Sequence, residues 1–393
     1  MKILICHNYY KDRGGEDEIV DFEKNLLNEN GYEVIEYFKN SRDIDNLIKK
    51  FKIFLNMFFS LKTVFQLKKI IKKFKPDVAH MHNIFPIISP SVYYILKKNN
   101  IPIIQTMHNY RFYCSNGLGL KNNQLCDRCL KLSFKNIFQI CSEKKVYDFS
   151  LKVIIYFIRK LKIFNRISYF IAPSEFMKNS LIKFNISEEK IILKRNLTNI
   201  LKHHPNNTGK KESCFTFIGR LSYEKGIMDL IDAFKVLKNI SLKIFGDGPL
   251  KNKISTLINQ EKLKNIELMG FVTGKIKIDS IYNSTANIIP SICNEVSPII
   301  LIECLKMGIP VVGCNGGAIP EFIRDGYNGY IYNYRNLDML KEKIIKICNM
   351  SEKEKKIMQN NCLNSFNDFF DLNTNFNIIK NIYAKFYHPD LFQ

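Results

Sequence analysis

At 393 residues with 46% hydrophobic content, the chain exceeds what one hydrophobic core usually organises, and two domains are expected. Eleven cysteines without an even framework and no secretory leader point to a reducing cytoplasm and exclude a disulfide-built secreted domain, and no run nears the roughly 18 apolar residues of a bilayer-spanning helix. The net charge of +22 is uneven: residues 1–200 carry 34 Lys and Arg against 18 Asp and Glu, residues 201–393 carry 25 against 19, so the basic surface belongs to the first half and suits nucleic acid, an anionic membrane or an anionic substrate alike.

Lys2 to His7 reads as a buried parallel strand. Arg13-Gly14-Gly15-Glu16-Asp17 follows as a loop feeding an amphipathic helix from Glu18 to about Asn30, the layout of a βα phosphate-binding turn. Val34 to Phe38 is a second strand, and Asp43-Ile44-Asp45 behind it is a solvated turn despite its metal-like spacing. Phe51 to Lys75 and Leu151 to Arg166 are basic, aromatic and helically spaced, a composition suited to lying on an anionic bilayer. Strands at Pro76–Asn83 and Pro102–Asn109 end in polar residues. His82 and His108 therefore fall at the carboxyl rim where open parallel sheets bind ligands. The loop over 110–145 carries Cys114, Cys126, Cys129 and Cys141, a set able to close a structural zinc site or to remain as free thiols.

After a strand at Ser168–Ser174, a helix and a strand at Ile191–Lys194, the segment 201–213 loses all periodicity and reads as a linker. Strand and helix then alternate again from Cys214. Gly219-Arg220-Leu221-Ser222-Tyr223-Glu224-Lys225-Gly226 sets two cations five residues apart in a βα loop, suited to a diphosphate without a metal ion. Gly246-Asp247-Gly248-Pro249 is a tight turn. In the stretch from Ala286 to Val312, Ser297-Pro298 starts a helix whose free amides suit a phosphate, with Glu295 ahead of it and Glu303 five residues after Pro298, about 7.5 Å along the axis. Gly316-Gly317 opens a further turn, and the tail from Leu337 to Tyr387 is helical, long enough to fold back onto the first domain.

The run G-R-L-S-Y-E-K-G, then I-F-G-D-G-P-L, then N-E-V-S-P-I-I-L-I-E-C-L-K-M-G-I-P-V-V and G-G-A-I-P-E resembles the retaining glycosyltransferases of family 4. The Gly14-Gly15-Glu16 loop, His108 and the cysteine loop are similar to members acting in bacterial surface-polysaccharide assembly. The resemblance implies an α/β GT-B fold: Rossmann-like domains over 1–200 and 214–370 facing a central cleft, with a C-terminal helix over 371–393 crossing back to the first. It implies that Arg220 and Lys225 grip the diphosphate, Glu303 the ribose, Glu295 the donor sugar, and that His108 contacts the sugar near the reacting carbon. Gly15 would lend its N–H near the phosphate, while Glu16 and His82 stand as auxiliary or acceptor residues. Where many members have Phe-Gly, this chain has Ser297-Pro298; proline has no N–H, so Ile299, Ile300 or the Ser297 hydroxyl must supply that contact.

The expected activity is metal-independent, configuration-retaining transfer from a nucleotide-diphosphate sugar to a glycan, lipid-linked at the inner membrane face, with the protein peripheral to that membrane. No catalytic cofactor and no nucleic-acid partner is expected. A nucleotide-sugar 2-epimerase of the same fold, or a non-catalytic polysaccharide-assembly protein, is the alternative.

Overall fold

The computed structural model describes residues 1–10, 14–41, 56–142, 145–198 and 213–387. The Asp43-Ile44-Asp45 turn, Arg13, residues 51–55 of the first basic stretch and nearly all of the linker lie outside the described residues. Two compact units emerge: one formed by 1–121, 126–197 and 372–393, the other by 122–125 and 198–371.

In the first unit β1 (Lys2–Tyr9), β2 (Glu33–Asn40), β3 (Val78–Met81), β4 (Ile103–Thr106), β5 (Tyr169–Ala172) and β6 (Ile191–Leu193) form one sheet in the order β2-β1-β3-β4-β5-β6. All its described pairings are parallel. Parallel strands need crossover helices on their faces, and so β1, β3 and β4 are buried along their length. The crossovers include α1 (Gly15–Glu29), α2 (Leu61–Phe74), α3 (Ser91–Lys98), α4 (Lys145–Lys160) and α5 (Glu175–Lys183).

In the first unit, helix boundaries differ from the sequence expectation in two places. Helix α1 begins at Gly15 rather than Glu18 because the Asp17 carboxylate accepts the Gly14 N–H at 3.2 Å, which closes the first turn early. The second basic stretch forms its helix over Lys145–Lys160, earlier than Leu151, with a separate 3-10 turn at Ile163–Arg166.

The second unit repeats the plan. Its strands β7 (Cys214–Ile218), β8 (Ser241–Phe245), β9 (Ile266–Gly270), β10 (Ala286–Ile289), β11 (Val311–Cys314) and β12 (Gly329–Tyr332) run parallel in the order β9-β8-β7-β10-β11-β12. Their helices are α6 (Ile227–Val236), α7 (Lys251–Gln260), α8 (Gly274–Tyr282), α9 (Ile299–Lys306) and α10 (Ile319–Phe322). The core is continuous from Phe215 and Phe217 on the central strand to Leu230, Ile231 and Phe234 on α6.

The tail is three helices: α11 (Leu337–Cys348), α12 (Glu352–Phe370) and α13 (Leu372–Ala384). Ser351 starts α12 by accepting the Glu354 N–H while Glu354 accepts the Ser351 N–H, a reciprocal cap that ends any continuity with α11. Only α13 belongs to the first unit: Ile379, Ile382 and Tyr383 are buried with Ile3, Ile5, Val78 and Ile104 of its sheet. No helix among the described residues is long and apolar enough to cross a membrane.

Candidate active site

In the first unit the chemistry gathers at the carboxyl ends of three adjacent strands. His7 lies near the end of β1, His82 one residue beyond β3 and His108 two residues beyond β4. His82 Nδ1 and His108 Nε2 are 2.9 Å apart. Burial pushes the His108 imidazole down to about 3, with His7 adding to the effect, and burial followed by His80 pushes His82 well below the usual range; both are neutral at physiological pH. Sequence spacing could place the two histidines at one rim, but not their contact.

A small cavity opens beside them, lined by Glu16, His82, His108, Asn109 and Arg111. Glu16 sits in the first turn of α1, where Oε2 accepts from the Tyr10 hydroxyl at 2.9 Å and from Asn109 Nδ2 at 3.2 Å. Its Oε1 is buried without a hydrogen-bond partner among the described residues, and burial raises its carboxyl above the usual range. Gly15 is the first residue of that helix, so its N–H is among the amides an α-helix leaves unpaired. Asn109 and Arg111 were missed in the sequence; a polar run directly after a strand end was the available signal.

The four loop cysteines share one neighbourhood, since burial, then the charges of Cys114 and Cys141, raise the Cys129 thiol. Among the described residues, Glu23, His80 and His82 form a group whose metal-capable ligand atoms lie within 4.8 Å of one another. Cys141 Sγ accepts from Lys152 Nζ at 3.2 Å and Cys114 Sγ donates to Asn116 at 2.9 Å.

In the second unit the central βα loops interlock. Lys225 Nζ donates to Glu295 Oε1 at 2.6 Å, joining the loop after β7 to the loop after β10. The Ser291 hydroxyl also donates to that oxygen at 2.5 Å. Burial opposes the Lys225 charge, but Glu295, Cys293 and Glu224 together hold the ammonium above its ordinary range. Lys225 remains 31% exposed and Glu295 12%, so both are reachable. Arg220, on the same loop as Lys225, is exposed.

Backbone contacts fix this arrangement. Gly226, at φ 68°, lies so close to the end of β10 that a Cβ would sit 1.8 Å from the Pro290 carbonyl oxygen. Gly317, at φ 60°, leaves 2.3 Å between such an atom and the Glu295 carbonyl oxygen, and the adjacent Ala318 N–H donates to that carbonyl at 2.7 Å. Only glycine satisfies both the conformation and the approach.

Helix α9 starts one residue later than its Ser-Pro signature suggests. Pro298 occupies the cap position, and no side chain caps the helix. The Ser297 hydroxyl, offered by the sequence as a phosphate contact in place of the proline N–H, is buried without a hydrogen-bond partner among the described residues. The N–H groups of Ile299 and Ile300 therefore stand beside an unused hydroxyl at the positive end of the helix dipole. Glu303, 3% exposed, pairs with Lys277 Nζ at 2.6 Å. That lysine on α8 was not singled out in the sequence. Glu303 thus meets any ligand already joined to a cation.

Two parallel-sheet α/β units, a closing helix returned to the first, and cationic loops ahead of an uncapped helix are those of a GT-B glycosyltransferase. Residues 27–196 match the model of Glycosyltransferase Family 4 and residues 200–362 that of Glycosyl transferases group 1; the chain belongs to the family 4 glycosyltransferases. It is 26% identical over 381 residues to an uncharacterized glycosyltransferase of Methanocaldococcus jannaschii, covering 92% of each chain. Over 136 residues it is 30% identical to the lipopolysaccharide 1,2-N-acetylglucosaminetransferase of Salmonella typhimurium, which spans 32% of this chain and 36% of that one. Among solved structures, Anabaena HepE in complex with UDP-glucose superposes with a TM-score of 0.68 at 16% identity, covering 98% of this chain and all of the other.

Proposed function

We propose that this glycosyltransferase moves a sugar, with retention of configuration and without a catalytic metal, from a nucleotide diphosphate to a lipid-linked glycan in surface-polysaccharide assembly. The observation that carries the reading is the Lys225–Glu295 pair, reachable from solvent and on loops clasped by glycine. Lys225 and Arg220 take the diphosphate charge that a metal would otherwise take, and the Ile299 and Ile300 amides with the Ser297 hydroxyl take phosphate oxygens. Glu303 takes the ribose hydroxyls. Glu295 orients the sugar and stabilises positive charge on the anomeric carbon. His108 and Gly15 act on the sugar and phosphate, and Glu16 and His82 serve as auxiliaries.

In this scheme the bond from the anomeric carbon to phosphate oxygen breaks with its electron pair leaving on the diphosphate. The acceptor hydroxyl adds on the same face, and its proton passes to the departing phosphate oxygen. The UDP-glucose bound by HepE supports a nucleotide-sugar donor, and the Salmonella relative supports a polysaccharide acceptor.

A peripheral seat on the cytoplasmic face of an anionic membrane is supported by the first unit's surface. Phe58 and Phe157 rings meet at 6.5 Å, Phe59 and Tyr94 at 5.8 Å, all exposed. Lys68 lies over Phe65 and Arg166 over Tyr94, which sets cations among aromatic groups that favour a bilayer interface.

The test is consumption of UDP-, GDP- and ADP-sugars by wild type and Glu295→Ala in EDTA, with membrane lipid extract as acceptor. One donor consumed, with sugar entering the lipid fraction and the variant inactive, is the expected result. Turnover without acceptor would favour epimerisation, and no binding or turnover of any donor would remove the catalytic reading.

A further inference from the structure

Behind His108 lies a row of buried groups that the transfer scheme does not use. Glu23 on α1 is 5% exposed, and its Oε2 accepts from Lys194 Nζ at 2.8 Å. Its Oε1 pairs with His80 Nδ1 at 2.9 Å and faces His82 Nε2 at 3.9 Å, a ring nitrogen buried without a hydrogen bond among the described residues. His80 Nδ1 also meets the Tyr383 hydroxyl at 2.7 Å, and its other ring nitrogen meets Thr106 Oγ1 at 2.7 Å. On its far side His82 meets His108 through Nδ1. Their ring centroids are 5.2 Å apart with planes 16° from parallel, as two imidazoles joined edge to edge through one N–H···N bond would be.

Such a row has a direction. Glu23 is ionised: burial opposes its charge, but Lys194 and then His80 outweigh it. A carboxylate attracts an N–H and repels a lone pair, and in a buried setting that difference is large compared with the small intrinsic preference between imidazole tautomers. His82 therefore carries its proton on Nε2, toward Glu23. Its Nδ1 is left as an acceptor, so His108 must donate from Nε2. The Nδ1 of His108 is then a lone pair, on a ring that lines the small cavity with Glu16 and Asn109. The same device recurs beside it: His7 Nε2 meets the Asp17 carboxylate at 2.8 Å while its Nδ1 accepts the Asn83 N–H at 3.4 Å.

We propose that Glu23 and His82 are positioning residues that fix His108 as the Nε2–H tautomer, so that His108 accepts a hydrogen bond from a substrate hydroxyl and is mismatched to a carbonyl or phosphate oxygen there. The sugar hydroxyl as ligand rests on the transferase reading; the tautomer does not. It is therefore measured first, without substrate.

The chain has seven histidines, so the protein can be labelled on its imidazole nitrogens and long-range proton–nitrogen NMR recorded near pH 7. His108→Gln and His82→Gln assign the two signals. The expected result is His108 protonated at Nε2 alone. Glu23→Gln lets an amide N–H face His82 and reverses the row, moving the His108 proton to Nδ1 and lowering kcat/KM for the donor about tenfold, the equivalent of one hydrogen bond. A wild-type His108 carrying its proton on Nδ1 or on both nitrogens overturns the proposal. So does a folded Glu23→Gln protein with the tautomer unchanged. If that variant does not fold, the wild-type spectrum decides alone; if no donor is ever turned over, the tautomer result stands and only the hydroxyl assignment falls.

Discussion

The two units place opposite kinds of chemistry on the same kind of scaffold. At the carboxyl ends of its strands the first unit sets His82 and His108, which burial keeps neutral. The second sets Lys225 and Glu295, which pair at 2.6 Å with the ammonium held above its ordinary range. The difference teaches where specificity can come from in each. A neutral imidazole in a buried row discriminates by which nitrogen carries the proton, whereas a half-buried ion pair discriminates by charge and yields to a ligand of greater charge.

Breaking the charged side has the largest expected effect. Lys225→Met removes a cation from the diphosphate and leaves the Glu295 carboxylate with the neutral Ser291 and Cys293 side chains as donors, so kcat/KM should fall roughly 10³-fold, in the range seen when one electrostatic contact to a departing charge is removed. Steady-state kinetics with whichever donor of the panel is consumed measures it; a loss under tenfold would move the diphosphate grip to Arg220.

The next effect concerns the scaffold. Gly226→Ala drives a Cβ to within 1.8 Å of the Pro290 carbonyl in a left-handed conformation and should cost about 2–4 kcal/mol of unfolding free energy. Gly14→Ala is the control from the first unit. Its φ is −128° and nothing lies within 4 Å of the added atom, so its change should stay within about 0.5 kcal/mol. Urea melts of the two variants compare them, and equal losses would mean the Gly226 loop relaxes freely.

How far these features could be read beforehand depends on whether they are local. The strand–helix alternation, the glycine turns and the helix-start signature of α9 are written in consecutive residues, and the architecture followed from them. The linkage of Lys225 to Glu295 spans 70 residues, and that of His82 to His108 spans 26. Each residue was singled out, but no spacing rule announces that two loops of a sheet will meet. Glu23 and Lys194 were not singled out, because a glutamate in a helix and a lysine after a strand look like solvated charges until the fold buries them together. Lys277 escaped for the same reason.

The smallest effect sharpens the neutral side. Because the folded His108 takes a proton only near pH 3 while the unfolded ring takes one near its ordinary 6.5, the unfolded chain binds more protons throughout that interval. Its contribution to stability is thus complete above about pH 6.5 and is lost as the pH falls toward 3. Between pH 6.5 and 5.5 one such site lowers the unfolding free energy by about 1 kcal/mol. His82 shifts in the same direction, whereas Lys225, with its ammonium held above its ordinary range, exchanges no proton in that window. Urea melts at the two pH values should therefore show His108→Asn losing about 1 kcal/mol less than wild type, while Lys225→Met retains the wild-type slope. If His108→Asn also retained it, the folded imidazole would be taking up its proton near the ordinary value, and the neutral, direction-reading character assigned to the first unit would fail while the charged character of the second stood.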